Sequence, residues 1–350
     1  MSGNTYVKHY SGYNLGISLL KMLMCFLVIV SHIWGVNVTY TGPLGWLYYL
    51  REYSVPVFMI LTFFFNEKTI DNLDGKKLGS RIVKLIVPLW GWAVIYWVFY
   101  KLLEEFLYPG YELRIRDLWW QMFTGNSIYL NGTMWFQVDL IVLTILFAII
   151  AFLARKFKNA VFAILSWACI LLQYSGTLLF IYKWKSELVG CCGRFFEMLP
   201  MATIGFMLAY FGLLEKSRKN WIVTMLISII AIRFLRYDKP FAPVPVQTFD
   251  YGGLDKIAVG LALIFLFAAP PLEKLPKFVH KIVEWLTKYT LGIYCMHRLV
   301  STLLHYFISH RTWDIETFTF IDCVAVYVIS YLISFLISLI PCKWTKMMVE

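Results

Sequence analysis

Apolar residues occur in long runs along this chain, and polar residues gather in the short stretches between them. Ten runs are long enough to read as membrane-spanning helices, for which roughly 20 predominantly apolar residues are needed. They fall at about residues 14–36, 47–66, 83–106, 134–154, 160–182, 195–213, 220–237, 254–271, 289–308 and 320–341. Gly176 and Lys183 blur the end of the fifth run, and Pro270-Pro271 cuts off the eighth, because proline cannot continue a helix. Trp and Tyr collect at run ends, as in Trp46-Leu-Tyr-Tyr49 and Trp90-Gly-Trp92, where amphipathic rings suit the headgroup layer. The pattern predicts an all-α polytopic membrane helix bundle of about ten transmembrane helices, forming one domain over residues 1–350. No heptad, internal repeat or low-complexity segment interrupts it.

Charge gives the bundle a direction. With the N-terminus in the cytoplasm, the cytoplasmic segments hold 18 Lys and Arg, among them Lys68, Lys76, Lys77, Arg81, Lys84, Lys274, Lys343 and Lys346. The opposite loops, including Arg114, Arg116 and Arg311, hold 8. The bias alternates loop by loop, so both termini are expected in the cytoplasm. This placement also accounts for the net charge of +11 without a nucleic-acid partner.

Composition agrees with the pattern. The chain is 60% hydrophobic and 15% charged, with a mean hydropathy of +0.66. A soluble domain is nearer to about 25% charged. The seven cysteines (Cys25, Cys169, Cys191, Cys192, Cys295, Cys323 and Cys342) fall mostly inside apolar runs, where each acts as a small hydrophobe. They show no metal-ligand spacing, so no metal is expected. The first run lacks a small-residue cleavage site and is followed by further spans, so it reads as a retained helix. Asn37-Val-Thr39 and Asn131-Gly-Thr133 match the glycosylation sequon, which matters only on a eukaryotic secretory route.

Two residues of the first run do not belong in hydrocarbon: Lys21 and His32. They lie eleven positions apart, close to three helical turns, so they share one face about 16 Å apart along the axis. An ionisable residue inside a span is a functional candidate by default. The plain alternatives are a lysine snorkelling to the headgroups and a histidine bonded to a neighbouring helix. Arg81 and Lys84 open the third run three positions apart, on one face, with Pro88 following to bend the helix or free its backbone. With Lys21 they put three cations near one membrane level, which suits a phosphorylated cytoplasmic ligand. Ordinary positive-inside topology explains Arg81 and Lys84 equally well.

The outer half carries a second set. His32 lies there, within reach of Arg51 and Glu52 at the start of the second run. Asp139 follows Met134-Trp-Phe-Gln137, and Glu197, Asp255 and Asp322 lie near outer ends of later runs. His297-Arg298 falls near the middle of the ninth. Acids inside spans are costly unless paired or facing water, so this set suggests an outward-open polar cavity. A histidine there with a carboxylate beside it has the make-up of a general base. Interfacial salt bridges, and a structural lock at His297-Arg298, are the alternatives. No phosphate-binding loop, nucleophile elbow, zinc-helix or dinucleotide motif is present, nor paired broken helices of the transporter kind.

With these residues in hand, the chain resembles the acyltransferase-3 family of integral membrane proteins over nearly its whole length. The family's first span carries a basic residue, ten intervening residues and a histidine, matched by Lys21 through His32 with lysine where arginine is usual. Ser54-Val-Pro-Val-Phe-Met-Ile-Leu61 resembles the family's Val-Pro-Phe run, although Thr62-Phe63 replaces the common Ser-Gly. Arg81 to Lys84 resembles an Arg-x-x-Arg element, again with lysine second. Trp135-Phe136 resembles the Trp-Phe that opens the fourth span, and Leu291-Gly-Ile-Tyr-Cys-Met-His297 resembles a late Gly-Ile-Tyr-x-x-His segment.

The resemblance implies transfer of an acyl group, often acetyl, from cytoplasmic acyl-CoA to a hydroxyl of a cell-surface carbohydrate or lipid-linked glycan. It implies His32 as general base, with Lys21, Arg81 and Lys84 holding the donor. Glu52, Asp139, Glu197, His297, Arg298 and Trp135 are candidate supporting residues. Acyl-CoA enters as a co-substrate, with no tightly bound cofactor. The expected setting is multi-pass in a bacterial plasma membrane, among lipids and with no nucleic-acid partner. Two other readings use the same cavity or none: a non-enzymatic carrier of a small solute, and a structural subunit of a surface-glycan assembly complex.

Overall fold

The computed structural model describes residues 14–33, 50–103, 112–126, 130–174, 187–238, 253–308 and 315–350, without the side chains of 33, 187–193, 236–238, 305–308 and 315–319. Among the described residues every regular element is a helix, as expected of an all-α membrane protein. In chain order they are α1 (Leu15–Ile33), α2 (Ser54–Asp71), α3 (Gly75–Leu102), α4 (Ile115–Thr124), α5 (Trp135–Ala154), α6 (Lys158–Tyr174) and α7 (Glu187–Tyr210). Then follow α8 (Leu213–Lys219), α9 (Trp221–Asp238), α10 (Leu254–Phe267), α11 (Lys277–Thr287), α12 (Thr290–Ile308), α13 (Ile315–Ser338) and α14 (Lys343–Val349).

Each of the ten apolar runs overlaps a helix. By length and composition alone, five stretches among the described residues can cross a membrane: 15–32, 75–102, 135–174, 254–274 and 320–338. The pair α7–α8, bent by 62° after Tyr210, makes a sixth if it forms one span. The 40-residue stretch 135–174 is not one straight helix. Phe147 and Phe162 are fifteen residues apart, which a continuous helix would separate by about 22 Å. Their rings stack 4.3 Å apart, so the chain doubles back at the short 3-10 turn Arg155–Phe157, between α5 and α6. α3 starts earlier than its apolar run and continues through Pro88, with the helix unbroken. The connection read as 107–133 contains the helix α4, which Gly125 ends with a left-handed φ of 64°. The Asn37 sequon and the side chains of Cys191 and Cys192 lie outside the described residues.

The chain divides into two compact units. The first takes residues 1–24, 52–74 and 147–287; the second takes 25–51, 75–146 and 288–350.

In the first unit α2 packs against α7 and α10, α6 against α7, and α9 against α10. Phe63, Phe147, Phe162 and Phe206 form one buried ring cluster, with neighbouring centroids 4.3–5.9 Å apart. Such packing matters because lipid tails are as apolar as the side chains, so helices associate through close van der Waals contact rather than hydrophobic drive. Polar ties close the ends. Asn14 caps α1, its side-chain oxygen accepting from the Ile17 N–H at 2.8 Å, while its amide donates to Glu273 at 2.6 Å. Arg218 pairs with the other oxygen of Glu273, and Lys158 pairs with Asp71.

In the second unit α12 packs against α13 and α3, and α4 lies on α3. The short α14 is seated against α3, α12 and α13. Glycines make the room for it. A Cβ at Gly91 would lie 2.8 Å from Met348 Cε, and one at Gly292 would lie 2.3 Å from Ser334 Oγ and 3.0 Å from Val349 Cβ.

Candidate active site

The polar centre of the second unit is built on the middle turns of α12. Tyr96, fully buried on α3, places its hydroxyl between two backbone groups of α12 that lie one turn apart. The hydroxyl donates to the Cys295 carbonyl at 3.0 Å and accepts from the Leu299 N–H at 2.9 Å. A side chain inserted into the helical ladder in this way holds the turn open at one place. That turn carries His297 and Arg298.

Further polar groups converge on the same carbonyl. Asn131 donates to the Cys295 carbonyl at 3.1 Å, and Gln137 donates to the Cys295 thiol at 3.2 Å. Gln121 on α4 donates to the Asn131 carbonyl at 2.8 Å. Asn131, Gln121, Gln137 and Cys295 are all fully buried or nearly so. Burial of this kind leaves no space for a glycan on Asn131, so its sequon is a structural amide. The network ties α3, α4, α5 and α12 into one polar floor, in which the backbone obligations of a buried helix turn are met.

Replacing Tyr96 by Phe removes one partner of the Cys295 carbonyl and the described acceptor of Leu299 N–H. A buried group left unmatched costs about 1–3 kcal/mol, so the Tyr96→Phe protein should unfold at a lower temperature in detergent. An unchanged midpoint would mean that the turn closes on itself without the hydroxyl.

His297 is completely buried, and its Nδ1 lies 2.6 Å from the Tyr294 carbonyl. A carbonyl only accepts, so Nδ1 carries the proton and donates it. The neutral ring therefore keeps its lone pair on Nε2, which is buried and has no hydrogen-bond partner among the described residues. The His32 ring lies beside it, with centroids 5.2 Å apart and planes tilted by 34°. His32 itself is half-buried at the last turn of α1. Arg298 Nη1 approaches the His32 carbonyl at 3.5 Å, a cation set against a helix C-terminus. The Tyr294 hydroxyl donates to the Thr133 carbonyl, and Phe136 meets the Tyr294 ring edge-on at 6.1 Å. Trp135 and Asp139 are buried on α5 in the same unit.

The structure thus brings His32 to His297 and Arg298, which lie 265 and 266 residues further along the chain. The other candidates are distributed as follows. Glu52 belongs to the first unit, where its carboxylate lies 3.9 Å from Lys256. Glu197 is buried on α7, also in the first unit. Lys21 lies in the first unit with its Nζ 4.5 Å from the centre of the Phe65 ring, a cation over an aromatic face. Arg81 and Lys84 lie on α3 in the second unit; Arg81 is half-buried, its Nε buried without a hydrogen-bond partner among the described residues, and Lys84 is exposed.

Tyr96, Gln121 and Asn131 carry the site without having stood out in the sequence as functional. The available signal was Asn131 and Gln137 flanking the Trp135-Phe136 pair at the mouth of an apolar run. Two amides at that position are more than an interfacial belt requires.

A family model described as an acyltransferase domain matches residues 14–340, nearly the whole chain. No curated protein matches the chain, and no solved structure does.

Proposed function

The chain belongs to the acyltransferase-3 family of membrane acyltransferases, and from that premise we propose that it moves an acyl group, acetyl in the simplest case, from acyl-CoA to a hydroxyl of a cell-surface carbohydrate or lipid-linked glycan. The observation that carries this reading is the imidazole pair: a half-buried His32 beside a fully buried His297 whose proton is committed to Tyr294. In this reading the half-buried ring, His32, is the one that meets the substrate.

In this reading an unprotonated nitrogen of His32 takes the proton of the acceptor hydroxyl. The acceptor oxygen attacks the thioester carbonyl, forming the new C–O bond. Collapse of the tetrahedral intermediate breaks the C–S bond, and the leaving thiolate takes the proton back from His32. Proton and electron pairs balance, so no metal or redox partner is needed. His297 acts as a neutral neighbour that fixes the orientation of His32 and does not touch the reacting atoms. Arg298, held against the last turn of α1, steadies the same end. Arg81 and Lys84 are the proposed cations for the donor phosphates on the cytoplasmic side, which the charge bias of the loops supports, and Lys21 is a separate candidate for the same role. Lysine at two of these positions binds phosphate as a point charge and not as a bidentate fork. The acceptor is met on the outer side, in a multi-pass arrangement within a bacterial plasma membrane.

The test is acyl-CoA consumption by purified protein in lipid with glycan acceptors present. Lys21→Ala is expected to raise the donor KM by about tenfold, with a smaller change in kcat, because it removes one charge-assisted contact. Folded wild-type protein that neither consumes nor binds acyl-CoA across a range of acceptors would overturn the enzymatic reading and favour a solute carrier.

A further inference from the structure

The second unit contains a cavity of about 680 Å³ at the foot of α14, lined by side chains other than those of the imidazole pair. Lys84 of α3 and Lys343 and Lys346 of α14 line it, with Leu291, Cys342 and Glu350. Lys343 and Lys346 are three positions apart and so share one face of α14. The opposite side of that helix is fastened. Trp92 Nε1 donates to the Met348 carbonyl at 3.0 Å, Val349 is fully buried, and Gly91 and Gly292 let the helix approach. The docking therefore commits the lysine face to the cavity.

The charge of the cavity is not internally cancelled. Its carboxylate, Glu350, is held by Lys288 at 3.0 Å. Among the described residues none of Lys84, Lys343 and Lys346 has a carboxylate partner. Three ammonium groups around one concavity, each a compact point charge, are suited to a multiply charged oxyanion. The volume falls within the range of about 300–1,000 Å³ that ordinary ligand pockets occupy, far more than a bare inorganic ion fills.

We propose that this cavity binds a phosphate ester through Lys84, Lys343 and Lys346, so that α14 supplies two cations of a phosphate site. The ester has two sources. One is the nucleotide part of the acyl donor, in which case the inference rests on the proposed function and adds Lys343 and Lys346 to the donor site. The other is an anionic phospholipid headgroup.

Cys342, in the cavity wall, is the reporter. Backbone N–H groups of Thr345 and then Trp344 point at its sulfur and lower its pKa from the ordinary thiol value. Its alkylation should therefore turn on at a lower pH than for an exposed thiol, whose pKa is about 8.5. Cys25, Cys169, Cys295 and Cys323 are buried, and mass spectrometry of the Cys342 peptide separates it from Cys191 and Cys192.

The protein is reconstituted in phosphatidylcholine nanodiscs and alkylated with and without adenosine 3′,5′-bisphosphate. The nucleotide is expected to slow alkylation of Cys342 saturably. Lys343→Ala/Lys346→Ala should weaken that protection by about 10–100-fold, the loss of two charge-assisted contacts. Lys343→Arg/Lys346→Arg should retain it. A second arm replaces the nucleotide with phosphatidylglycerol in the disc. Protection there alone, lost in the alanine pair, assigns the site to lipid. Absence of protection in both arms, or equal protection in wild type and the alanine pair, overturns the proposal. The two ideas fail separately. A wild type that binds the bisphosphate but consumes no acyl-CoA defeats the enzymatic reading alone. Normal turnover with an unchanged donor KM in the alanine pair, together with unchanged protection, defeats the cavity alone.

Discussion

Exchange of His32 for alanine is expected to lower acyl-CoA consumption by about 10²–10⁴-fold, the range over which a positioned general base acts. The acceptor hydroxyl is a poor nucleophile until its proton has somewhere to go, and His32 is the more exposed of the two paired rings. Because a base works unprotonated, the wild-type rate should fall on the acid side, and that acid limb should disappear in His32→Ala. The fold should persist, since His32 is only half-buried and the polar floor beneath it is made by Tyr96, Asn131 and Gln137. His297→Ala separates base from neighbour. If His297 orients His32, its loss should cost less in kcat than the loss of His32 and should leave the acid limb in place. A fully active His32→Ala, or an acid limb that follows His297 instead, would move the base to the buried ring.

Much of the helical framework was legible because a membrane imposes a simple rule: apolar for a full span, polar between. Each long apolar run became a helix on that rule. What escaped was whatever does not follow it. α4, α11 and α14 are short and mix charge with apolar positions, as in Lys277-Phe-Val-His-Lys-Ile-Val-Glu-Trp285, so no window around them is apolar enough to register. The same mixture is what makes α14 useful, with Val349 and Met348 on the packed side and Lys343 and Lys346 on the cavity side. In sequence those lysines counted only toward orientation.

The candidate site was legible in part for a similar reason. Charged groups inside apolar runs announce themselves, and His32, His297 and Arg298 were found that way. The neutral polar groups beneath them do not. Tyr96 resembles any interfacial tyrosine until its hydroxyl is seen between Cys295 and Leu299, about 200 residues on. Nor could sequence choose His32's neighbour among several acids. Glu52 has its own counter-ion in Lys256, and the group actually beside His32 is an imidazole.

Gly205→Ala is expected to lower stability sharply, and Gly79→Ala should do the reverse. Both glycines lie within helices, α7 and α3, where alanine is intrinsically favoured by about 0.8–1.0 kcal/mol. What differs is the space around them. A Cβ at Gly205 would lie 2.1 Å from the Ile60 carbonyl oxygen and 2.9 Å from its carbon. Those are backbone atoms of α2, so no rotamer change can clear them, and α2 and α7 would have to separate. Overpacking of that kind costs about 1–3 kcal/mol when a core can adjust, and a backbone-to-backbone clash belongs at the upper end or beyond. The separation would also loosen the Phe63–Phe206 ring cluster, since Phe206 follows directly on α7. At Gly79 a Cβ would meet nothing within 4 Å, so the propensity gain stands unopposed. Thermal unfolding of the two variants in the same detergent should therefore move in opposite directions from wild type. If Gly205→Ala unfolds at the wild-type temperature, α2 and α7 do not meet at that glycine, and the close approach in the first unit has to be redrawn.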